Sequence, residues 1–287
     1  MAEPAATIVM AAHNEAAVIE RTLRAFLPQS APGEFQVLVV CNGCSDGTAE
    51  AARSTGEQTG RPVEVREIPV ASKIAALRKA EDEPLVERAD VRIYLDADVL
   101  VDVTTLRNVR DAVAGDMPRL GVVCGEVDAA GSSRLVRAYY AVWSARQHAA
   151  PDGSGAGIFA VNRAGAARIS QWPDVLSDDG FVARQFAASE RVVAAGRSVI
   201  RAPRTVSALV RRRARIVNGN RELDIRWPRT AAEPPAVRRL VLARRVSLVQ
   251  AGVFVTLTIA ARALAAWRRW RGRAAMWSAD DTSRRAY

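Results

Sequence analysis

The chain has 287 residues, enough for one large domain with an appendage but cramped for two equal domains. Its formal charge of +10 is unevenly spread: residues 191–287 hold 22 arginines against 5 acids, a net +17, which leaves residues 1–190 at −7. The cations are arginines apart from Lys73 and Lys79, and the pairs Arg244-Arg245 and Arg268-Arg269 beside an apolar stretch suit anionic lipid headgroups; no nucleic-acid partner is implied.

Three cysteines, Cys41, Cys44 and Cys124, are too few and of the wrong parity for a disulfide framework, so a reducing compartment is expected. Cys41-Asn42-Gly43-Cys44 has C-x-x-C spacing but no second pair to complete a zinc site, and it is read as packing at a strand end. The start, Met1-Ala2-Glu3-Pro4, has no basic n-region, and no signal peptide is expected. A serine-hydrolase reading fails for want of a G-x-S-x-G elbow, with His13 and His148 the only histidines.

In chain order, short β-rich runs alternate with helical patterns, the rhythm of an α/β protein whose mostly parallel sheet carries helices on both faces. Strands are expected at 7–12, 35–41, 63–68, 91–95, 120–127 and 157–161. A helix over 15–27 gathers Val18, Ile19, Thr22, Leu23 and Phe26 on one face, and Leu106, Val109 and Val113 repeat that pattern after the fourth strand. Residues 132–148 form a further helix, ending at the turn-rich Pro151-Asp152-Gly153-Ser154-Gly155. The tail differs in kind: 246–261 is almost uncharged but meets Arg262 before the ~20 residues that a spanning helix needs. Residues 246–267 cross a thin bilayer if Arg262 snorkels, lie in the interface with Trp267 and Trp270 at headgroup depth, or pack as a buried helix.

Asp96-Ala97-Asp98 closes the apolar run Val91-Arg92-Ile93-Tyr94-Leu95, at the strand exit where open α/β sheets bind ligands. Two carboxylates one residue apart suit Mn²⁺ or Mg²⁺, whose other positions go to water and a diphosphate; a solvated strand end or helix cap gives the same pattern. The first strand runs into His13-Asn14-Glu15. The second runs into Asn42-Gly43-Cys44-Ser45-Asp46-Gly47-Thr48, where Asn42 can offer donor and acceptor to a base edge while Asp46 and Thr48 are ordinary capping types. Gly155-Ala156-Gly157-Ile158 is not a dinucleotide fingerprint, because Ile158 stands where a third glycine belongs and a strand follows.

With these turns and the Asp-x-Asp in their order, residues 6–220 resemble the family 2 glycosyltransferases, of bacterial type with a C-terminal apolar helix. The resemblance implies the GT-A (Rossmann-like) fold over residues 1–225, followed by an Arg-rich, membrane-associated extension over 226–287. It implies that Ala12 and Glu15 border the nucleotide, that Asn42 meets the base, and that Asp96 and Asp98 handle ribose and metal-diphosphate. Lys73, ahead of an Ala-Leu pair, would face the phosphates. Gly155 and Gly157 fall in the acceptor-side stretch, and Asp178-Asp179 matches the family's acidic pair, whose first member would lie on the acceptor side and whose second is the catalytic base. Ser177 and Asp178 also read as helix caps. Arg212-x-x-Arg215 partly matches the motif of processive relatives, with Ile216 in place of tryptophan; it reads either as a solvated helix face or as a contact to the leaving diphosphate or an anionic acceptor.

The expected activity is an inverting, metal-dependent hexosyltransferase moving a sugar from a nucleoside-diphosphate donor, UDP-linked by preference, to a hydroxyl of a lipid-linked or envelope glycan. The cytoplasmic face of the cell membrane is its expected location, peripheral or single-pass. A retaining transferase or a nucleotidyltransferase on the same fold, and an inactive nucleotide-binding membrane scaffold, are the alternatives.

Overall fold

The computed structural model describes residues 6–149, 155–228 and 235–272. In chain order the elements are β1 (Ala6–Ala12), α1 (Ile19–Arg24), β2 (Phe35–Asn42), α2 (Thr48–Thr59), β3 (Val63–Ile68), α3 (Lys73–Glu81), α4 (Pro84–Glu87), β4 (Val91–Leu95) and α5 (Val103–Ala112). There follow β5 (Leu120–Asp128), α6 (Arg134–Ala149), β6 (Ile158–Asn162), α7 (Arg163–Ala166), α8 (Asp178–Arg184), β7 (Arg191–Arg201), α9 (Val206–Arg226), α10 (Val237–Leu242) and α11 (Leu248–Trp270).

The strands form one sheet in the order β3-β2-β1-β4-β6-β5-β7. Its pairings are parallel except where β6 runs antiparallel between β4 and β5. Alternation along the strands sends Ile8 and Met10 to one face, under α1, α2 and α5, and Val9 to the other, under α3, α4, α7 and α8. A third core joins α6, α9, α10 and α11 through Val136, Tyr139, Leu209, Leu240, Val246 and Phe254. This is the mostly parallel α/β arrangement that the resemblance implies, followed by a C-terminal apolar helix.

Six expected strands appear within a residue or so of their bounds. The seventh, β7, was not expected, because Arg191, Gly196, Arg197, Ser198 and Arg201 interrupt any apolar alternation. It forms the sheet edge, and its register against β5 shifts between Val122 and Cys124. Charged residues and an irregular register are how edges avoid pairing with other chains. The first helix begins at Ile19 rather than at residue 15, and the apolar helix covers 248–270 rather than 246–267. Ser247 explains the second shift: its hydroxyl accepts the Gln250 N–H while Gln250 caps the Ser247 N–H.

Glu34, in the turn before β2, clamps α5 to this face of the sheet. Arg107 gives it a two-pronged grip at 2.6 and 2.8 Å, and the Ala31 N–H adds a bond at 2.8 Å. The Arg107 hydrogen bonds hold the Glu34 carboxyl at about 2, against burial, from an ordinary 4.5. A lowered folded value gives stability that is present above pH 4.5 and lost as pH falls toward 2. Glu34→Gln is therefore expected to cost about 1–2 kcal/mol at pH 7, discounted for the partly exposed arginine, with the difference from wild type closing at acid pH. Urea unfolding over a pH series measures it.

Candidate active site

At the end of β4 the chain turns sharply: the Asp96 N–H donates to the Gly157 carbonyl at 2.8 Å and the Val99 N–H to the Asp96 carbonyl at 3.1 Å. The turn requires glycine at 157, where φ is +65° and a Cβ would come within 2.5 Å of Val99 Cγ2 and 3.2 Å of Asp96 Oδ2. Gly157→Ala is expected to destabilise the fold by about 2 kcal/mol and to shift Asp96. Thermal unfolding alongside nucleotide titration reads both effects.

Beside this turn lies a cavity of about 430 Å³. It gathers residues remote in sequence: Lys73 from the start of α3, Asp96 and Asp98 from the β4 exit, Gly155 and Gly157 ahead of β6, Asp178 and Asp179 from the first turn of α8, and Arg212 and Arg215 from α9. Ile216 lines it as well. Its apolar wall includes Tyr94 and Phe159, stacked at 4.8 Å across the β4–β6 pairing. Sequence reasoning missed that wall, because only the strand order makes the two rings neighbours.

Lys73 is the pivot. Its Nζ lies 2.5 Å from Asp96 Oδ1 and 2.7 Å from Asp178 Oδ2, so one ammonium joins the two acidic segments. Burial opposes the Lys73 charge, but Asp178 and Asp96 outweigh it and hold the lysine well above its ordinary range. Burial pushes the Asp96 carboxyl up to about 6, with Asp178 and Asp98 adding to the rise and Lys73 opposing it. Keeping Asp96 ionised thus depends on a cation at hand.

Asp179 is fixed by three donors. Oδ1 accepts the Ser177 hydroxyl and the Gly180 N–H, both at 2.7 Å, and Oδ2 accepts the Gly155 N–H at 3.1 Å. Because Oδ2 takes only this one bond, it keeps a lone pair for a further proton. The capping expectation needs correction. Ser177 occupies the N-cap position of α8, yet its hydroxyl makes no cap bond and serves Asp179, while Asp178 turns to Lys73. Asp178 is therefore tied to the Asp-x-Asp turn through the lysine.

Ala12, Glu15 and Asn42 lie at the ends of β1 and β2 but do not line the cavity; all three are buried. With its nitrogen turned toward the Ala12 carbonyl, 2.8 Å away, the Asn42 amide can accept the Ser72 N–H on its oxygen at 3.2 Å, which leaves one N–H and one lone pair over. The two turns are also laced to each other: the Ser45 N–H reaches Asn14 Oδ1 at 2.8 Å, the Glu15 N–H reaches Thr48 Oγ1 at 2.8 Å, and the Ala16 N–H reaches Asp46 Oδ2 at 3.1 Å. Local pattern showed polar turns at a strand exit and could not show that their polar groups satisfy one another.

Among the described residues no three His, Cys, Asp or Glu side chains converge as a metal cluster. The cavity offers a cation the hard oxygens of Asp96 and Asp98, with further positions left to water and a diphosphate, which is how Mg²⁺ and Mn²⁺ are usually held beside nucleotides. The donor set fits such an ion.

Residues 7–156 match the family described as Glycosyl transferase family 2. No curated protein matches the chain. Among solved structures, it is similar to the mannosyltransferase PcManGT of Pyrobaculum calidifontis in complex with GDP-Man and Mn²⁺. That match has 21% identity and a TM-score of 0.55, over 95% of this chain and 84% of that one. It is also similar to glucosyl-3-phosphoglycerate synthase of Mycobacterium tuberculosis in complex with Mn²⁺, UDP-glucose and phosphoglyceric acid. There the identity is 16% and the TM-score 0.50, over 82% of this chain and 90% of that one. At these identities the likeness concerns the fold.

Proposed function

This chain belongs to glycosyl transferase family 2 and is a glycosyltransferase, and from that premise we propose that it transfers a hexose, with inversion and with help from a divalent metal, from a nucleoside-diphosphate sugar to an acceptor hydroxyl. The observation that carries the reading is the Lys73 bridge: it ties the Asp-x-Asp turn to the segment bearing Asp179, so donor-handling and proton-accepting groups share one cavity. Asp179 takes the proton of the acceptor hydroxyl as that oxygen forms its bond to the anomeric carbon and the bond to the diphosphate breaks. A single displacement of this kind inverts the anomeric centre. A carboxylate is a weak base, so much of the rate must come from alignment and from stabilising the departing diphosphate.

Asp98 and Asp96 would hold Mn²⁺ or Mg²⁺, which when bound would supply positive charge against the departing diphosphate. Lys73 does the same from the protein side, joined by Arg212 and Arg215 of α9. Mn²⁺ and nucleotide-sugars in the two solved neighbours support this assignment. UDP is the donor nucleotide proposed, and the acceptor is an envelope or lipid-linked glycan. Residues 1–225 form the catalytic unit, and 226–287 associate it with the cytoplasmic face of the membrane. The free state of all three cysteines agrees with that side.

The test is thermal stabilisation by UDP, GDP, dTDP, CDP and ADP, each with and without Mn²⁺ or Mg²⁺, on wild type and Asp98→Asn. A ligand that binds only the native state must raise its stability. A metal-dependent rise with one nucleotide, lost in Asp98→Asn, is expected; a folded protein that responds to none of them would be a scaffold rather than this enzyme. Product NMR reads the anomeric configuration, and retention overturns the single displacement.

A further inference from the structure

We propose that α11 seats this protein in the plane of an anionic bilayer, as a surface helix and not as a span. This rests on the membrane association proposed above and specifies its geometry. At 23 residues α11 is about 35 Å long, enough to cross a hydrocarbon core. Its packing speaks against crossing. Near one end the Phe254 ring stacks on Tyr139 of α6 at 4.8 Å, and near the other Arg269 donates to Asn218 of α9 at 2.6 Å, with Ala261 and Ala265 buried between. The helix is therefore held along the domain for about 22 Å. To span, it would have to leave both contacts and expose the third core.

The outward face is apolar. Leu248, Val249, Val255, Ile259, Trp267 and Trp270 are exposed on it, Leu248 at 77% and Trp270 at 79%, and Leu242 of α10 extends the patch. Soluble surfaces rarely leave so long a stripe uncovered. Around it, residues 235–272 contain eight arginines and no acid. Arg244, Arg245, Arg262 and Arg271 are exposed, and the Arg271 guanidinium lies 5.2 Å from the Trp267 ring and 5.6 Å from the Trp270 ring. Tryptophan and arginine together favour headgroup depth, and Arg262, costly at the centre of a bilayer, sits there without penalty.

Charge also selects the occupant. A second copy would bring the same arginines against these, whereas an anionic lipid surface complements them. Seated this way, α11 would lie on one side of α9, whose Arg212 and Arg215 line the cavity.

The full chain is tested by sedimentation with vesicles of phosphatidylcholine alone and of phosphatidylcholine mixed with phosphatidylglycerol. Binding about tenfold or more tighter to the anionic vesicles is expected, weakened by salt and weakened about tenfold in Val255→Glu/Ile259→Glu, with the thermal midpoint of that variant checked against wild type. Bound protein should wash off at alkaline pH in carbonate. Retention through that wash would mean a span and would overturn the in-plane inference while leaving membrane association intact. Binding to neither vesicle would overturn both. If the double variant instead turned a dimer into a monomer, the stripe would be a contact between copies, and the inference would fall.

Discussion

Asp179→Asn should lower kcat by about 10³-fold, within the range that removal of a positioned general base commonly produces, while leaving donor affinity near wild type. The substitution is close to isosteric. Asparagine Oδ1 can still accept from the Ser177 hydroxyl and the Gly180 N–H, both now at 2.7 Å, so the first turn of α8 keeps its main supports. Oδ2 differs: as an amide nitrogen it meets the Gly155 N–H donor to donor and has no lone pair for an acceptor proton. The loss should appear in the chemical step. Steady-state kinetics with both substrates varied, a nucleotide titration and a thermal midpoint separate the cases. Unchanged turnover in a folded Asp179→Asn protein removes this residue from the role of base. A fall in donor affinity matching the fall in rate assigns it to binding.

Much of the sheet was legible because its strands are local in character. Buried strands such as β4, where Val91, Ile93, Tyr94 and Leu95 surround Arg92, read as short apolar runs, and the turns that follow them are polar. The position of Asp96 and Asp98 follows from that pattern alone. β7 escaped it because an edge strand needs charge and irregularity more than apolar alternation. The acidic pair was legible as a pair but not in its division of labour. That division depends on Lys73, 105 positions before Asp178 in the chain, and on the Gly155 loop reaching Asp179. For Asn42 the sequence showed a side chain with the chemistry to read a base, and could not show that the Ala12 carbonyl and the Ser72 N–H lie within reach of the same amide. Arg212 and Arg215 share the cavity because α9 passes it; in the sequence only their x-x spacing, a partial likeness to the motif of processive relatives, set them apart from Arg211 and Arg213, and Arg213 lies instead over the Tyr139 ring at 5.9 Å.

The same Lys73 carries the second large effect. Lys73→Met keeps most of the side chain's length and removes its charge, which leaves Asp96 and Asp178 without the ammonium now 2.5 and 2.7 Å from them. Two consequences follow from one loss. The departing diphosphate loses a cation, an effect of the kind that costs about 10²–10³-fold in rate when a charge-stabilising donor is removed. The first turn of α8 also loses its tether to the Asp-x-Asp turn, so Asp179 is aimed less well and kcat falls along with donor affinity. Because the lysine is about a third exposed, the cost in global stability is expected to be only about 1 kcal/mol, far short of the loss in kcat/KM. Lys73→Arg discriminates between the two roles. It restores the charge, and with it stability, but a planar guanidinium cannot reproduce a point contact to two carboxylates at these distances, so the rate should recover only in part. Full recovery of kcat/KM by arginine would show that charge alone matters. A stability loss in Lys73→Met with kcat/KM unchanged would reduce the lysine to a structural strut and leave the diphosphate to the metal and the arginines of α9.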